Sequence, residues 1–248
     1  MSCVISKADG VLTIRFDRQE KKNAMTAAMY AAAANALEAA ASDATIRAAL
    51  FLGREDFSAG NDIADFLAAG ALNTPIAELP VVRFLRVLAA FEKPVIAGVR
   101  GVAIGIGTTL LLHCDGVIAG DSARFALPFV SLGLVPEAGS SLLLPLVVGR
   151  ARASWLLLSG ERIAAEEALA MGLISRLAPD EEVEAGAQAM AAALAALPPN
   201  ALRTAKRMLR RHDAEALAET MEAEFTAFAE AMRSEEARAA FMRFLAKG

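Results

Sequence analysis

Glu137 is conspicuous for its isolation. It lies in Leu134-Val135-Pro136-Glu137-Ala138-Gly139-Ser140-Ser141 and is the only acid between Asp121 and Glu161. A lone carboxylate among apolar residues either caps a helix start or occupies a pocket where burial raises its pKa, and the pattern leaves both open. Two other loops have the composition of ligand loops. In Phe57-Ser58-Ala59-Gly60-Asn61-Asp62-Ile63, small residues let a ligand approach the backbone and a helix start leaves N–H groups free. Gly101-Val102-Ala103-Ile104-Gly105-Ile106-Gly107-Thr108-Thr109 lacks the spacing of a dinucleotide site and the lysine of a P-loop, so it implies no phosphate cradle. It can still aim an N–H at a developing negative charge.

The remaining candidates read more plainly. His113, inside an apolar stretch, is expected to be a buried structural histidine, and Cys114 a small buried hydrophobe. Ser140-Ser141 has no adjacent base and no Gly-x-Ser-x-Gly elbow, so no serine nucleophile is expected. Arg203, Lys206, Arg207, Arg210 and Arg211 have helical spacing. They read as a solvated face, with a phosphate contact as the alternative.

The elements that must carry these loops alternate in the first half. Residues 11–16 alternate as a strand after the Asp9-Gly10 turn, with residues 3–6 as hairpin partner. Thr26 can cap an alanine-rich helix reaching about Ala41. Residues 48–52, 94–98 and 116–119 read as strands. Asp62 can cap a short helix through Phe66 and Leu67, residues 79–91 read as a helix buried all round, and residues 101–114 as a glycine turn entering a helix. This alternation gives an α/β class. Helices follow at 142–148, 151–158, 164–171 and 180–197, the last stopped by Pro198-Pro199. Beyond them only helices are expected, and Met221, Phe225, Phe228 and Met232 share one face that reads as core or subunit interface. A boundary near Leu197 divides a core (1–197) from a helical subdomain (198–248).

Composition bounds the function. The 248 residues are 56% hydrophobic with a mean hydropathy of +0.42, enough for a sizeable core. A net charge of −4 provides no basic field for nucleic acid. Two cysteines and two histidines exclude a disulfide scaffold and make a metal site improbable. No uncharged apolar run reaches the ~18 residues of a membrane span, and no signal peptide pattern opens the chain, so a cytoplasmic protein without a membrane partner is expected.

The ordered set of motifs resembles the crotonase (enoyl-CoA hydratase/isomerase) family. It runs from Phe16-Asp17-Arg18-Gln19-Glu20-Lys21-Lys22-Asn23-Ala24-Met25 through Ser58-Ala59-Gly60-Asn61-Asp62 and Lys93-Pro94-Val95-Ile96-Ala97-Gly98-Val99-Arg100-Gly101. His113-Cys114-Asp115, Ser131-Leu132-Gly133-Leu134-Val135-Pro136 and the segment 160–173 complete it. The resemblance implies a spiral of ββα turns followed by a helical trimerisation region, and a homotrimer or dimer of trimers. It implies an acyl-CoA thioester as substrate and no separate cofactor. It also implies an oxyanion hole of two backbone N–H groups, which by position are those of Asn61 and Ile106, the latter next to Gly105. Lys22, Ala24, Ser58, Ala59, Gly60, Asp62 and Ile63 would hold the CoA portion. Phe66, Phe84, Leu85 and Leu132 would wall the acyl pocket.

The departures from the family pattern set the expected chemistry. The two glutamates of a hydratase are replaced by Thr109 and Phe129, and neither can move a proton. Gly60-Asn61-Asp62 and Pro136-Glu137 resemble Δ3,Δ2-enoyl-CoA isomerases of the peroxisomal type, with Glu137 as sole base. The Asn61 amide is expected either to orient Glu137 or the thioester, or merely to pack. The alternatives are a hydratase, an isomerase of the phenylacetyl-CoA type, or a non-catalytic CoA-ester or RNA binder.

Overall fold

The computed structural model describes residues 2–65 and 75–245. Phe66 and Leu67, expected in the pocket wall and the short helix, lie outside the described residues. The Asp9-Gly10 turn joins β1 (Cys3–Ala8) to β2 (Val11–Phe16) as an antiparallel hairpin. From β2 the sheet continues in parallel through β3 (Ala48–Leu52), β4 (Val95–Val99), β6 (Gly116–Gly120) and β9 (Arg176–Ala178). A second sheet pairs β5 (Val102–Ile104), β7 (Arg124–Ala126) and β8 (Ile163–Ala164). β5, β7, β8 and β9 were not expected; at two or three residues each they are too short to show a period.

Every residue of β3, β4 and β6 is buried, because helices cover both faces of the parallel sheet. The alternation of β3 sorts its residues between them. Ala48, Leu50 and Leu52 meet Val183, Ala187 and Ala191 of α7 (Val183–Ala195), while Ala49 and Phe51 enter the main core. That core is closed by α1 (Ala27–Ser42) and α2 (Pro80–Ala90). Thr26 Oγ1 accepts the Met29 N–H at 3.3 Å and caps α1 as expected. α2 is buried on one face only: Phe84, Leu85 and Leu88 turn inward, while Arg83 reaches Glu38 and Arg86 reaches Glu222 on the outer face.

Residues 101–114 are not one glycine turn and helix. β5 comes first, then a single turn α3 (Ile106–Thr109), then a 3-10 turn over Leu110–His113. α4 (Ser140–Val148), α5 (Arg150–Ser159) and α6 (Ala165–Ala170) follow, and a 3-10 turn at Asp180–Glu182 precedes α7. The chain ends in α8 (Pro199–Arg210), α9 (Ala214–Met232) and α10 (Glu235–Leu245). No helix among the described residues is long and apolar enough to cross a membrane.

The basic run on α8 is not a uniform solvated face. Lys206 is buried and donates to the Lys93 carbonyl and to Asp115 Oδ2, both at 2.6 Å. Arg210 donates to Asp115 Oδ1 at 3.1 Å and to the His113 carbonyl at 2.7 Å. Asp115 thereby ties α8 to the turn before β6, and its Oδ2 also takes the Val95 N–H. Asp115→Ala strands the buried Lys206 ammonium, so chemical denaturation should register a loss of about 2–4 kcal/mol. A variant as stable as wild type would show that Lys206 escapes to solvent.

Candidate active site

Two loops form the first wall. Lys22 and Asn23 both have left-handed backbones, φ 49° and 56°. Asn23 suits that region because its side chain bonds locally: Oδ1 accepts the Arg18 N–H and Nδ2 donates to the Asp56 carbonyl, at 2.7 and 2.6 Å. The Lys22 carbonyl accepts the Ala59 N–H, which fastens this loop to the next. Met25 and Asn61 form an isolated parallel bridge, with Met25 N–H donating to Gly60 and Asp62 N–H to Met25.

Several residues expected to hold the substrate brace this junction. Ser58 is fully buried and its hydroxyl donates to the Asn23 carbonyl and accepts the Gly60 N–H. Asp62 accepts Arg18 at 2.6 Å and caps the turn at 63–65 through the Asp65 N–H. Arg18 also donates to the Ala24 carbonyl. The Lys22 ammonium is largely exposed, 3.9 Å from Asp56. Ile63 packs on the edge of the core.

The glycine loop lies directly behind. Ser58 bridges to Ala103, and Ile104 N–H donates to the Ser58 carbonyl. Gly105 has φ 55° and ends β5, donating to the Ala126 carbonyl. A Cβ on Gly107 would stand 2.7 Å from the Ser58 carbonyl, so only glycine permits the two loops to approach this closely. The Ile106 N–H opens α3, and neither it nor the Asn61 N–H has a hydrogen-bond partner among the described residues. Free amides on two abutting loops are what an anionic oxygen needs.

Glu137 is 4% exposed and lines an apolar cavity together with Asn61. Burial pushes its carboxyl up to about 8; the Thr109 hydroxyl, which donates to Oε1 at 2.5 Å, opposes this, and the nearby Glu224 carboxylate adds to it. Of the two readings left open by the sequence, the pocket therefore holds, since α4 starts at Ser140 with Gly139 rather than Glu137 at its N-cap. Thr109 is fully buried against this carboxylate, and Phe129 is buried with its ring beside Gly105. The Asn61 side chain faces Tyr30, whose hydroxyl donates to Asn61 Oδ1. Burial, and after it Glu137, hold the Tyr30 phenol well above its ordinary range, so it stays protonated and donates.

The cavity wall differs from expectation. Leu85 lines it, with Val82 of the same helix. Phe84 instead packs on Tyr30 and Phe51, and Leu132 packs on the edge of the main core. The opposite wall is Phe225, Phe228 and Met232 of α9. Their apolar stripe is visible in the sequence, but nothing local distinguishes a pocket wall from core. Also unforeseen are Tyr30 and Glu224; the latter is buried and accepts the Gly139 and Ser141 N–H groups and the Ser141 hydroxyl. His113 is buried and structural, held near 4 by burial, with Nε2 on the Ala138 carbonyl at 2.8 Å. Cys114 is half-buried. Among the described residues no group of three His, Cys, Asp or Glu side chains is placed to hold a metal ion.

A hairpin-initiated parallel sheet, a second small sheet and a helical C-terminal region define a crotonase-fold protein, with the buried Glu137 carboxyl in a cavity beside Asn61. The sequence profile of the enoyl-CoA hydratase/isomerase family matches residues 6–248, and the chain belongs to that family. It is 36% identical over 98% of its length to enoyl-CoA delta isomerase 2 of Rattus norvegicus, of which it spans 63%. It is 37% identical, over its whole length and 97% of the relative, to 1,2-epoxyphenylacetyl-CoA isomerase of Escherichia coli. The crystal structure of an enoyl-CoA hydratase/isomerase from Pseudoalteromonas atlantica superposes with a TM-score of 0.93 at 41% identity, covering 100% of this chain and 98% of that one.

Proposed function

We propose that this protein is an acyl-CoA isomerase that shifts a double bond from C3 to C2 of an enoyl-CoA, with Glu137 as the proton carrier. The observation that carries this reading is one buried carboxyl of raised proton affinity in an apolar cavity; the family resemblance puts Thr109 and Phe129, which cannot move a proton, where hydratases have glutamates. The thioester carbonyl oxygen would sit on the Asn61 and Ile106 N–H groups. Their partial positive charge lowers the energy of the enolate and so acidifies C2–H. Glu137 takes the C2 proton, the electron pair spreads over C2, C3 and C4 as a dienolate, and the same carboxyl returns the proton to C4. The base ends as it began, and no water is consumed. A carboxylate whose proton affinity is raised by burial is a better base for this carbon acid than an exposed glutamate.

The loops around Lys22, Ala24 and residues 58–63 would carry the CoA portion, and Leu85, Phe225, Phe228 and Met232 the acyl chain. The test is a spectrophotometric assay with trans-3-hexenoyl-CoA and crotonyl-CoA in parallel. Conversion of the first without hydration of the second supports the reading. Hydration of crotonyl-CoA would mean that a second proton carrier is present or that Glu137 alone activates water, and would overturn it. The end-to-end match to the Escherichia coli isomerase favours one other reading, an epoxide of an aryl-acetyl-CoA as substrate. Turnover of that epoxide without turnover of 3-hexenoyl-CoA would select it.

A further inference from the structure

The peptide unit between Ala138 and Gly139 is gripped at both of its polar atoms by side chains from distant parts of the chain. The His113 Nε2 hydrogen bonds to the Ala138 carbonyl at 2.8 Å, and the imidazole must be the donor because a carbonyl only accepts. Glu224 accepts the Gly139 N–H at 2.6 Å, and its other oxygen takes the Ser141 N–H at 2.9 Å and the Ser141 hydroxyl at 2.5 Å. Both gripping side chains are buried. The peptide they hold is not relaxed: Ala138 has φ 60° and Gly139 φ 71°. A left-handed alanine costs about 1–2 kcal/mol and persists only where its surroundings fix it. α4 also has no cap of its own, since its N-cap is Gly139, so its first amides are answered by α9.

This left-handed turn follows Glu137 immediately, and the Ser140 N–H closes it on the Glu137 carbonyl. The gripped peptide therefore fixes the chain one residue beyond Glu137, and the Ser140 N–H ties the Glu137 carbonyl to the same turn. Resting on the reading of Glu137 as the base, we infer that His113 and Glu224 are positioning residues that lock the Ala138–Gly139 peptide and hold the Glu137 carboxyl at the cavity beside Asn61. Glu224 of α9 also acts on Glu137 through its charge; the Thr109 hydroxyl donates to Glu137 Oε1, and Glu137 in turn raises the Tyr30 phenol. Arg210 and Lys206 are the charges that act on His113, and Asp115 pairs with both of them.

A helix cap that does not position Glu137 would affect stability, and in His113→Phe, where no neighbouring charge is lost, it would leave the Glu137 titration and kcat unchanged. The discriminating experiment is carboxyl NMR on protein carrying 13C-labelled glutamate, with Glu137 assigned by its disappearance in Glu137→Gln. In wild type its titration is expected near 8. In Glu224→Gln the midpoint should fall, because a neighbouring negative charge is gone. kcat on 3-hexenoyl-CoA should drop about tenfold or more with KM within about twofold, the signature of a displaced reacting group. His113→Phe removes the other grip without changing charge at neutral pH, and the same loss in kcat is expected. A folded Glu224→Gln with the wild-type Glu137 titration and the wild-type kcat overturns the inference. If Glu224→Gln does not fold, an unchanged kcat in His113→Phe overturns it instead. The NMR titration needs no turnover, so a wild type inactive on 3-enoyl-CoA would refute the proposed reaction alone.

Discussion

Glu137→Gln is expected to lower turnover of trans-3-hexenoyl-CoA by about 10²–10⁴-fold, the range that positioned acid–base catalysis contributes. The amide keeps the shape of the side chain. Its oxygen can still accept the Thr109 hydroxyl, so the cavity beside Asn61 and Leu85 should not collapse. What disappears is the only group able to accept a proton from C2 among the described residues lining that cavity. Affinity for a non-isomerisable CoA thioester, measured by calorimetry, should stay within about threefold, because the loops around Lys22 and Ser58 are held by bonds that do not involve Glu137. The kinetic signature is thus a loss in kcat with KM nearly constant. Wild-type turnover in the variant would remove Glu137 from the chemistry and leave the cavity without an assigned base.

Much of this site was legible in the sequence for identifiable physical reasons. Glu137 is noticeable because nothing else acidic lies near it, and an unpaired charge in an apolar run needs a special place to sit. The Asp9-Gly10 turn, the Thr26 cap and the buried strands β3, β4 and β6 are local devices with local signatures, and they hold. Asn61 and Ile106 come from the family resemblance, which assigns the two donors by position in the glycine-containing loops. The features missed are those made by distant pairing. Glu224 meets Ser141 across 83 positions, and Tyr30 meets Asn61 across 31. Phe225 and Phe228 read as an apolar helix face whether they line a cavity or fill a core. Lys206 reads in the sequence as one more surface cation, whereas in the fold Asp115, 91 positions away, receives it. Sequence period reports which side of an element is apolar, but only the fold reports what that side faces.

The buried carboxyl also sets opposite pH trends for stability and activity. In the folded chain Glu137 holds its proton up to about 8, against an ordinary 4.5. Between those values the folded state binds a proton that the unfolded chain has released, so this group's contribution to stability is whole below about 4.5 and is lost as pH rises through about 8. The full loss is of the order of 4–5 kcal/mol. His113 runs the other way. Its folded value is about 4 against 6.5, so its contribution is whole above 6.5 and is lost as pH falls through about 4. Over roughly pH 4.5–6.5 the two slopes cancel. From 6.5 to 8 Glu137 acts without that opposition, and above about 8 buried Lys206, lowered to about 8 from 10.5, contributes increasing stability. The wild-type melting temperature should therefore fall between pH 6.5 and 8, and Glu137→Gln should not show that fall. The advantage of the variant should grow across this window, and a constant difference between the two proteins would mean that Glu137 is already ionised at neutral pH. Over the same window kcat/KM of the wild type should climb, because only the deprotonated carboxyl can take the C2 proton. The environment that makes Glu137 a strong base thus also makes its working form the less stable one, and a bound thioester would offset that loss by mass action.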